Sequence, residues 1–529
     1  MAVLLHSSVR APKDYDRWAA ITGTSATGYS PERQVHSLGA ILEEAFSAIA
    51  PEWLDLGREL GASPSAYLAH APSCATNVSD LGLMMAWSHL VDRWAHEEAI
   101  TLVVCDDPWM FRHLQGRAGV SAGMAPGLLG PIVKLALRGY AARGKAALRL
   151  FRAAMSLRFQ RQMATNGDAV LLVYGHPKST PEGEDGYFGD LMQRLPRLKR
   201  MLHVDCPKDR ALELGRDGRS LSLHGFGCPG GALLLPFAKW RPLAAHKQGR
   251  YGWLVRRAAV TEGGSGQGAM LAWQAHCQRK WLKRARPSVV AWPWENHSWE
   301  RAFIRHARSL GVRTVGYQHS VVGRLMLNYS SRSNPDREAS LPDFILASGP
   351  ATRDRLESMD MPKARLAVGG ALRFPTTHPA AYDPKGPVFV ALPFDRSISE
   401  QMVEACQKVK GWRFLIKDHP MSPFAFREDD RLRRTEISFA EHEGLATVLF
   451  AATTVGLEAL LAGLPTLRFQ PSDRIAVNIL PDGIKAQAVS SDTLQDALEN
   501  PFKPGIVPPE SIFAPVALDL WGELLTPHD

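Results

Sequence analysis

Residues 447–469 read TVLFAATTVGLEALLAGLPTLRF. The apolar run Thr447 to Phe450 predicts a buried strand, and Ala451, Ala452, Thr453 and Thr454 make a small-residue turn. A helix then runs from about Val455 to Ala462, with Gly463 to end it and Pro465 to lead into the next strand. Strand, helix and strand in that order form a parallel α/β unit, in which ligands bind at the carboxyl ends of the strands. The turn presents two hydroxyls and the free N–H groups of a helix start, a combination that suits phosphate. The alternative is that Thr454 is a plain N-cap. Gly456 lies in the first turn of this helix. Glu458, one turn on, is off the capping-box position, so its carboxylate reads as an acceptor for ribose hydroxyls.

Working outward, the same alternation fills the chain. Strand-like runs occur at Thr101 to Cys105, Ala169 to Tyr174, Met201 to Val204, Val289 to Trp292 and Arg313 to Tyr317. A second series comprises Phe344 to Ala347, Leu366 to Val368, Val388 to Leu392, Arg413 to Ile416, Thr447 to Phe450 and Thr466 to Phe469. The polar stretch 328–340, NYSSRSNPDREAS, separates the two series and reads as a linker or mobile loop. The fold class expected is therefore α/β with two Rossmann-like domains facing a cleft. The first spans 1–335, the second spans 341–500 and holds the nucleotide, and 501–529 returns as a helix to the first domain.

The strand Trp412 to Ile416 is followed by Lys417, Asp418, His419 and Pro420, a cation and an imidazole at a strand end that suit phosphate oxygens. In the first half, Trp292 to Arg301 (WPWENHSWER) sets Glu295, Asn296 and His297 at a strand end, and the next strand ends in Gln318, His319 and Ser320. Glu295 is a candidate base or nucleophile, or only an acidic residue in a first helical turn. His319 is a candidate site residue or a packed histidine. Glu184 and Asp185, before Gly186, form an acidic pair on a loop, candidates for catalysis or simply solvated acids, and Asp106 with Asp107 forms another at a strand end, either site residues or caps of the following helix.

His419-Pro420, followed 34 residues later by Thr453-Thr454, resembles the His-Pro and Ser/Thr-pair motifs of GT-B glycosyltransferases that use CMP-activated acids, the bacterial sialyltransferases and capsular Kdo transferases. Glu184-Asp185-Gly186 resembles the acidic-acidic-Gly motif that supplies the general base in the sialic-acid enzymes. The stretches DDPWMFRHL (106–114), EDGYFGDL (184–191), WENHSWERAFIRHA (294–307), VGYQHSVVG (315–323) and VGGALRF (368–374) are similar to bacterial surface-carbohydrate biosynthesis proteins of this fold. The resemblance implies a glycosyltransferase of capsule, lipopolysaccharide or related glycans. In it Lys417, His419, Pro420, Thr453, Thr454, Gly456 and Glu458 hold the nucleotide, and Glu295, Glu184, Asp185 or His319 serve catalysis. It implies a CMP-linked ulosonic acid as donor substrate, with no separate cofactor and no metal. A UDP-sugar transferase or epimerase, and a non-catalytic assembly component with the same shell, remain the alternatives.

The chain has 529 residues, 45% of them hydrophobic, a net charge of +9 and six cysteines without C-x-x-C spacing. It is long enough for two large domains, and neither a zinc site nor a disulfide framework is expected. P-loop, H-E-x-x-H and G-x-S-x-G motifs are absent from the sequence, which weighs against NTPase, zinc-protease and α/β-hydrolase readings. Gly225, Gly227 and Gly230 match G-x-G-x-x-G, but Pro229 and Pro236 leave no helix for it to open. The charge is local: residues 108–167 hold ten Lys or Arg and no Asp or Glu. Lys134, Arg138, Lys145, Arg149 and Arg152 fall within about 60° of one another on a helical wheel. This basic amphipathic insertion, at about 128–165, reads through residues 133–163 as an interfacial element for an anionic membrane surface, or as a helix pair with a solvated charged face. Nucleic acid is not expected as a partner, for want of a recognised motif or interleaved aromatics. The location expected is cytoplasmic, peripheral to the inner membrane.

Overall fold

The computed structural model describes all residues except 1, 10, 11, 13, 26, 27, 374–378, 501–506 and 527–529. Its strands are short and apolar, and all pair in parallel. A first sheet contains β1 (Val3–His6), β2 (Arg17–Ala20), β3 (Thr101–Val104) and β4 (Val120–Ala122), in the order β2-β3-β1-β4. A second contains β5 (Ala169–Val173), β6 (Lys199–Leu202), β7 (Ser220–Ser222), β8 (Val289–Pro293), β9 (Arg313–Gln318), β10 (Phe344–Ala347) and β11 (Leu366–Val368). A third contains β12 (Val388–Ala391), β13 (Phe414–Lys417), β14 (Leu432–Arg434), β15 (Thr447–Phe450), β16 (Thr466–Phe469) and β17 (Gln487–Val489).

The third sheet runs β14-β13-β12-β15-β16-β17, the Rossmann order, and the second runs β11-β10-β9-β8-β5-β6-β7, the same order with one strand added. Each therefore has a switch point, β5/β8 in one and β12/β15 in the other, where the crossovers leave in opposite directions and open a crevice. The C-terminal helix Leu518–Leu525 returns to the second sheet as expected: Trp521, fully buried, packs on Phe188 and Tyr317, and its indole N–H donates to the Gly369 carbonyl at 2.9 Å.

Two boundaries differ from the sequence reading. Thr101–Val104 belongs to a separate N-terminal sheet. Phe344–Ala347 and Leu366–Val368 complete the second sheet, Phe344 standing opposite Val315, so the third begins at Val388 and a division at 335–341 falls inside the second. The polar stretch 328–340 forms short 3-10 turns in which Asn328, Ser333, Asn334 and Ser340 are buried. Its polar groups satisfy one another and the fully buried Arg301, whose guanidinium donates to the Ser333 carbonyl (2.8 Å) and hydroxyl (2.7 Å). Polarity there marks an internal hydrogen-bond network rather than a linker.

The third sheet is fastened to the N-terminal unit. Arg468 pairs with Glu43 at 3.1 Å, and a Cβ on Gly39 would stand 2.2 Å from the Pro471 carbonyl oxygen. Among the described residues no helix is long and apolar enough to cross a membrane.

Candidate functional site

The loop after β8 carries the most elaborately braced side chains of the second sheet. The Glu300 carboxylate accepts the Trp292 indole N–H at 2.7 Å and the backbone N–H of Glu295 at 3.1 Å, and also that of His297. Asn296 takes a left-handed conformation, φ 55°, and its amide donates to the Asn328 carbonyl and Asn334. Asn328 in turn donates to the Glu295 carbonyl at 2.6 Å. This network fixes Glu295 where its carboxylate meets His297 Nε2 at 2.8 Å while remaining 44% exposed.

Burial alone would raise the Glu295 carboxyl, but the His297 hydrogen bond and charge, with His319 and His70 behind it, hold it at about 2. Burial would lower His297, and Glu295 reverses that, so its pKa stands above the ordinary value. The two form a coupled pair rather than independent groups. Against His297 packs His70, ring centroids 5.4 Å apart, held neutral by burial with its pKa at about 3.

His319, at the end of β9, is buried. Its Nδ1 has no hydrogen-bond partner among the described residues, and burial lowers its pKa to about 4. Its ring meets the Tyr187 edge at 4.8 Å, and Tyr187 also touches His176 and carries the Arg373 guanidinium 5.6 Å from its centroid. The Arg373 charge acts on His176 and His319 on one side, adding to the burial that lowers them, and on His419 and Glu458 on the other, adding to burial at His419 and opposing it at Glu458, which places it between the two sheets.

The acidic-acidic-Gly loop lies beside this cluster, but its acids do not enter it. Asp185 has a fully buried side chain. It faces Arg200 at 3.5 Å, and its oxygens accept the Ser179 hydroxyl and the Tyr187 N–H. Glu184 is exposed, and its carbonyl is bound by Arg200. A Cβ on Gly186 would stand 2.3 Å from the His176 ring, so glycine is what lets the loop close on that histidine. The loop presents Tyr187 to the cleft, and Asp185 is an anchor within it.

At the third sheet, His419 follows β13, half-buried, and its Nδ1 accepts the Met421 N–H at 3.2 Å. Burial and Arg373 lower its pKa, so the ring is neutral at pH 7 with the proton on Nε2, a donor. Lys417 is committed elsewhere, donating to the carbonyls of Glu436 and Ile437. Arg373 is the cation that acts on His419. Pro420 is exposed beside His419. Thr453 and Thr454 form the turn after β15, half-buried. Thr453 makes a 3.5 Å contact to the Val455 N–H, and the Thr454 hydroxyl bonds to Glu458 rather than capping the helix Val455–Leu461. Burial raises Glu458, which faces Arg373 and Lys178. Gly456 touches no cleft; a Cβ there would stand 2.3 Å from the Phe450 ring, so it packs helix on strand.

A cavity of about 610 Å³ joins the two ends of this arrangement. His70 lines it on one side and Phe394, on the loop after β12, on the other. Thr76, Asn77, Asp80, Gln267, Asp395 and Arg474 supply polar walls. The Phe394 ring meets His419 at 5.6 Å. The cavity thus touches the Glu295–His297 pair through His70 and the His419 strand end through Phe394.

Two sheets of Rossmann order meet at one cleft, and the last helix returns to the first of them. The fold is of GT-B type. The chain matches no protein-family model and no curated protein. Among solved structures it is similar to the Methanocaldococcus jannaschii UDP-GlcNAc 2-epimerase (12% identity, 65% of this chain and 96% of that one, TM-score 0.37). It is similar also to Acinetobacter baumannii MurG (11%, 63% and 88%, 0.32) and to the lipopolysaccharide outer core galactosyltransferase WaaB (11%, 62% and 88%, 0.30). With TM-scores below 0.5, these likenesses carry no conclusion about what this chain does.

The sequence reading singled out Glu295, His319, His419 and the threonine pair. It did not single out Tyr187, His70, Arg373, Glu300 or Phe394. Tyr187 and Arg373 lie inside the quoted stretches EDGYFGDL and VGGALRF, so the signal was adjacent; His70 sits in an uncharged segment with no pattern to mark it.

Proposed function

We propose that this protein is a GT-B glycosyltransferase of surface-glycan biosynthesis, moving a sugar from a nucleotide donor to a glycan acceptor. The observation that carries the reading is the pairing of Glu295 and His297 at the β5/β8 switch point, with the neutral His419 at the end of β13 in the third sheet and Arg373 between them. The donor lies on the third sheet, its phosphate on His419 Nε2–H, the Thr453 and Thr454 hydroxyls and Arg373. The motif resemblance makes it a CMP-linked ulosonic acid. The acceptor enters the polar cavity past His70, where hydroxyl-rich ligands find Asn77, Asp80 and Gln267.

In the transfer, the acceptor oxygen bonds to the anomeric carbon as the bond from that carbon to the phosphate oxygen breaks. The acceptor proton passes to the Glu295–His297 pair, and the charge left on the nucleotide meets donors fixed in advance on the other wall. The long basic helix Leu129–Leu157, with no acid in its segment, holds the enzyme at an anionic membrane surface.

Calorimetric titration with CMP, UDP and GDP tests this. Saturable CMP binding that is tighter than that of UDP and GDP supports the donor class. Tighter UDP binding replaces it with a UDP-sugar, and no binding of any of the three overturns the transferase reading.

A further inference from the structure

The helix Leu129–Leu157 is turned the opposite way from an ordinary amphipathic helix. Its buried stripe consists largely of small residues, including Gly139, Ala146, Ala147 and Ala154, while Leu137, Tyr140, Leu148 and Phe151 are 39–67% exposed. The segment Pro229–Phe237 packs against it and adds Leu233, Leu234 and Phe237, each at least 60% exposed; Tyr140 and Phe237 meet ring to ring at 5.8 Å. A solvated charged face over a buried apolar one does not describe this helix, because its large apolar side chains and its cations share the outside.

Between this helix, the segment Pro229–Phe237 and the helix Gly252–Gly263 lies a groove of about 800 Å³, a size suited to a small ligand. Its apolar wall includes Leu137, Tyr140 and Phe237. Lys239, Arg241, Lys247 and Arg256 border it, and among the described residues none of the four faces an acid in an ion pair. The chain around them is short of acids: from Gly218 to Thr261 there are seven Lys or Arg and no Asp or Glu. Glu262, the next acid, is occupied by the backbone N–H groups of His70 and Ala71. Trp240 also lines the groove, 3% exposed, and its indole N–H has no partner among the described residues.

We propose that this groove binds a phosphate-bearing lipid, its hydrocarbon chain along Leu137, Tyr140 and Phe237 and its phosphate on the Lys239, Arg241, Lys247 and Arg256 border. Apolar walls recognise the chain, unpaired cations recognise the anion, and the buried Trp240 N–H supplies a donor that water does not reach. The exposed Leu, Phe and Tyr side chains at the mouth place the groove on the face that meets a bilayer. The site rests on the membrane reading above only for the route by which a lipid arrives. It is distinct from the cleft: the groove and the polar cavity share no lining residue, and they take different residues of the helix Gly252–Gly263.

The test is calorimetric titration of the full chain with monomeric dodecyl phosphate, below its micelle concentration, beside inorganic phosphate and dodecanol. One saturable site is expected for dodecyl phosphate, with inorganic phosphate and dodecanol each at least about tenfold weaker. Lys239→Glu with Arg241→Glu, both on exposed side chains, should weaken binding about tenfold or more. Ala136→Trp, at the exposed lip, should block the groove. An unchanged Tm confirms that each variant folds. Equal binding of inorganic phosphate, or unchanged dodecyl phosphate affinity in Ala136→Trp, overturns the proposal. Vesicles of phosphatidylcholine with phosphatidylglycerol separate it from the membrane reading: if wild type binds them but not dodecyl phosphate, the groove fails and surface adsorption stands, and the reverse pattern leaves the groove and removes the adsorption.

Discussion

The two switch points share one strand order and differ in almost everything else. At β5/β8 the loop 294–297 is held by Glu300, Asn328, Asn334 and Arg301, and Glu295, the proposed base, is paired with His297 at 2.8 Å. In the third sheet the candidate groups, at the ends of β13 and β15, are half-exposed: His419 accepts one backbone N–H, and Thr453 makes one long contact. A group that must move a proton gains from being fixed in advance, since misplacement costs rate. A group that only receives a phosphate can leave its donors open, because the ligand completes their hydrogen bonds.

The largest effect that would break this contrast belongs to Glu295. Glu295→Gln keeps the shape and removes the charge, so turnover should fall by roughly 10² to 10⁴ with donor affinity nearly intact. Turnover assays beside nucleotide titration check it. Equal losses in both would mean that the braced half also holds the donor, and the division of labour between the sheets would fail.

Asp185 sharpens the contrast within the braced half. Its carboxylate and Arg200 are fully buried together, so Asp185→Ala leaves an uncompensated guanidinium and should cost about 3 to 5 kcal/mol of stability. The lower end is expected, because Arg200 keeps Ser220, Glu184 and Thr180 as acceptors. Glu184→Gln, on the exposed neighbour, should change neither stability nor rate. Urea unfolding checks both; an Asp185→Ala variant of native stability that loses only turnover would return the base role to this loop.

At the open half the expected loss is smaller. His419→Ala should weaken nucleotide binding by about 1.5 to 3 kcal/mol, the range for bonds to charged groups, and leave stability nearly unchanged because the ring has one backbone partner. Lys417→Ala should leave nucleotide affinity alone, since that ammonium serves the 436–437 carbonyls. Calorimetry on the two variants reads the difference directly.

How much of this was legible depends on whether a signal was local. The run 447–469 states its strand, turn and helix in consecutive residues, and His419-Pro420 sits where a strand visibly ends. The N-terminal sheet does not, because β1 and β3 are four residues each and pair across nearly a hundred positions. The stretch 328–340 misleads for a different reason: polar residues mark exposure only when water is their partner, and here Asn328, Ser333 and Asn334 have Asn296 and Arg301 instead. Asp185 reads as a solvated loop acid because Arg200, which buries it, comes fifteen residues later on another strand. The acid-free stretch 218–261 was visible throughout, but only the fold sets it against the basic helix.

The smallest effect separates the halves by pH. His297 owes its raised pKa to Glu295, whereas burial and Arg373 depress His419. The Glu295–His297 pair can take a proton from an acceptor only once His297 has released its own, since Glu295 at about 2 is too weak a base while its partner is charged. Turnover should therefore rise with pH through a limb above 6.5, the ordinary histidine value, while nucleotide affinity stays flat across the same range. The stability contribution of the pair has the opposite slope at that end. His297 is raised, so its share is complete below 6.5 and is lost as pH rises through its folded pKa. Glu295 is lowered, so its share is complete above about 4.5 and is lost as pH falls towards 2. In Glu295→Gln burial and Arg301 lower His297 and Glu300 still raises it, so its titration, followed by imidazole NMR, should move down from its wild-type value. A His297 pKa that is unchanged in that variant would mean that the 2.8 Å contact does not set the proton's position, and the braced half would lose the feature that distinguishes it from the open one.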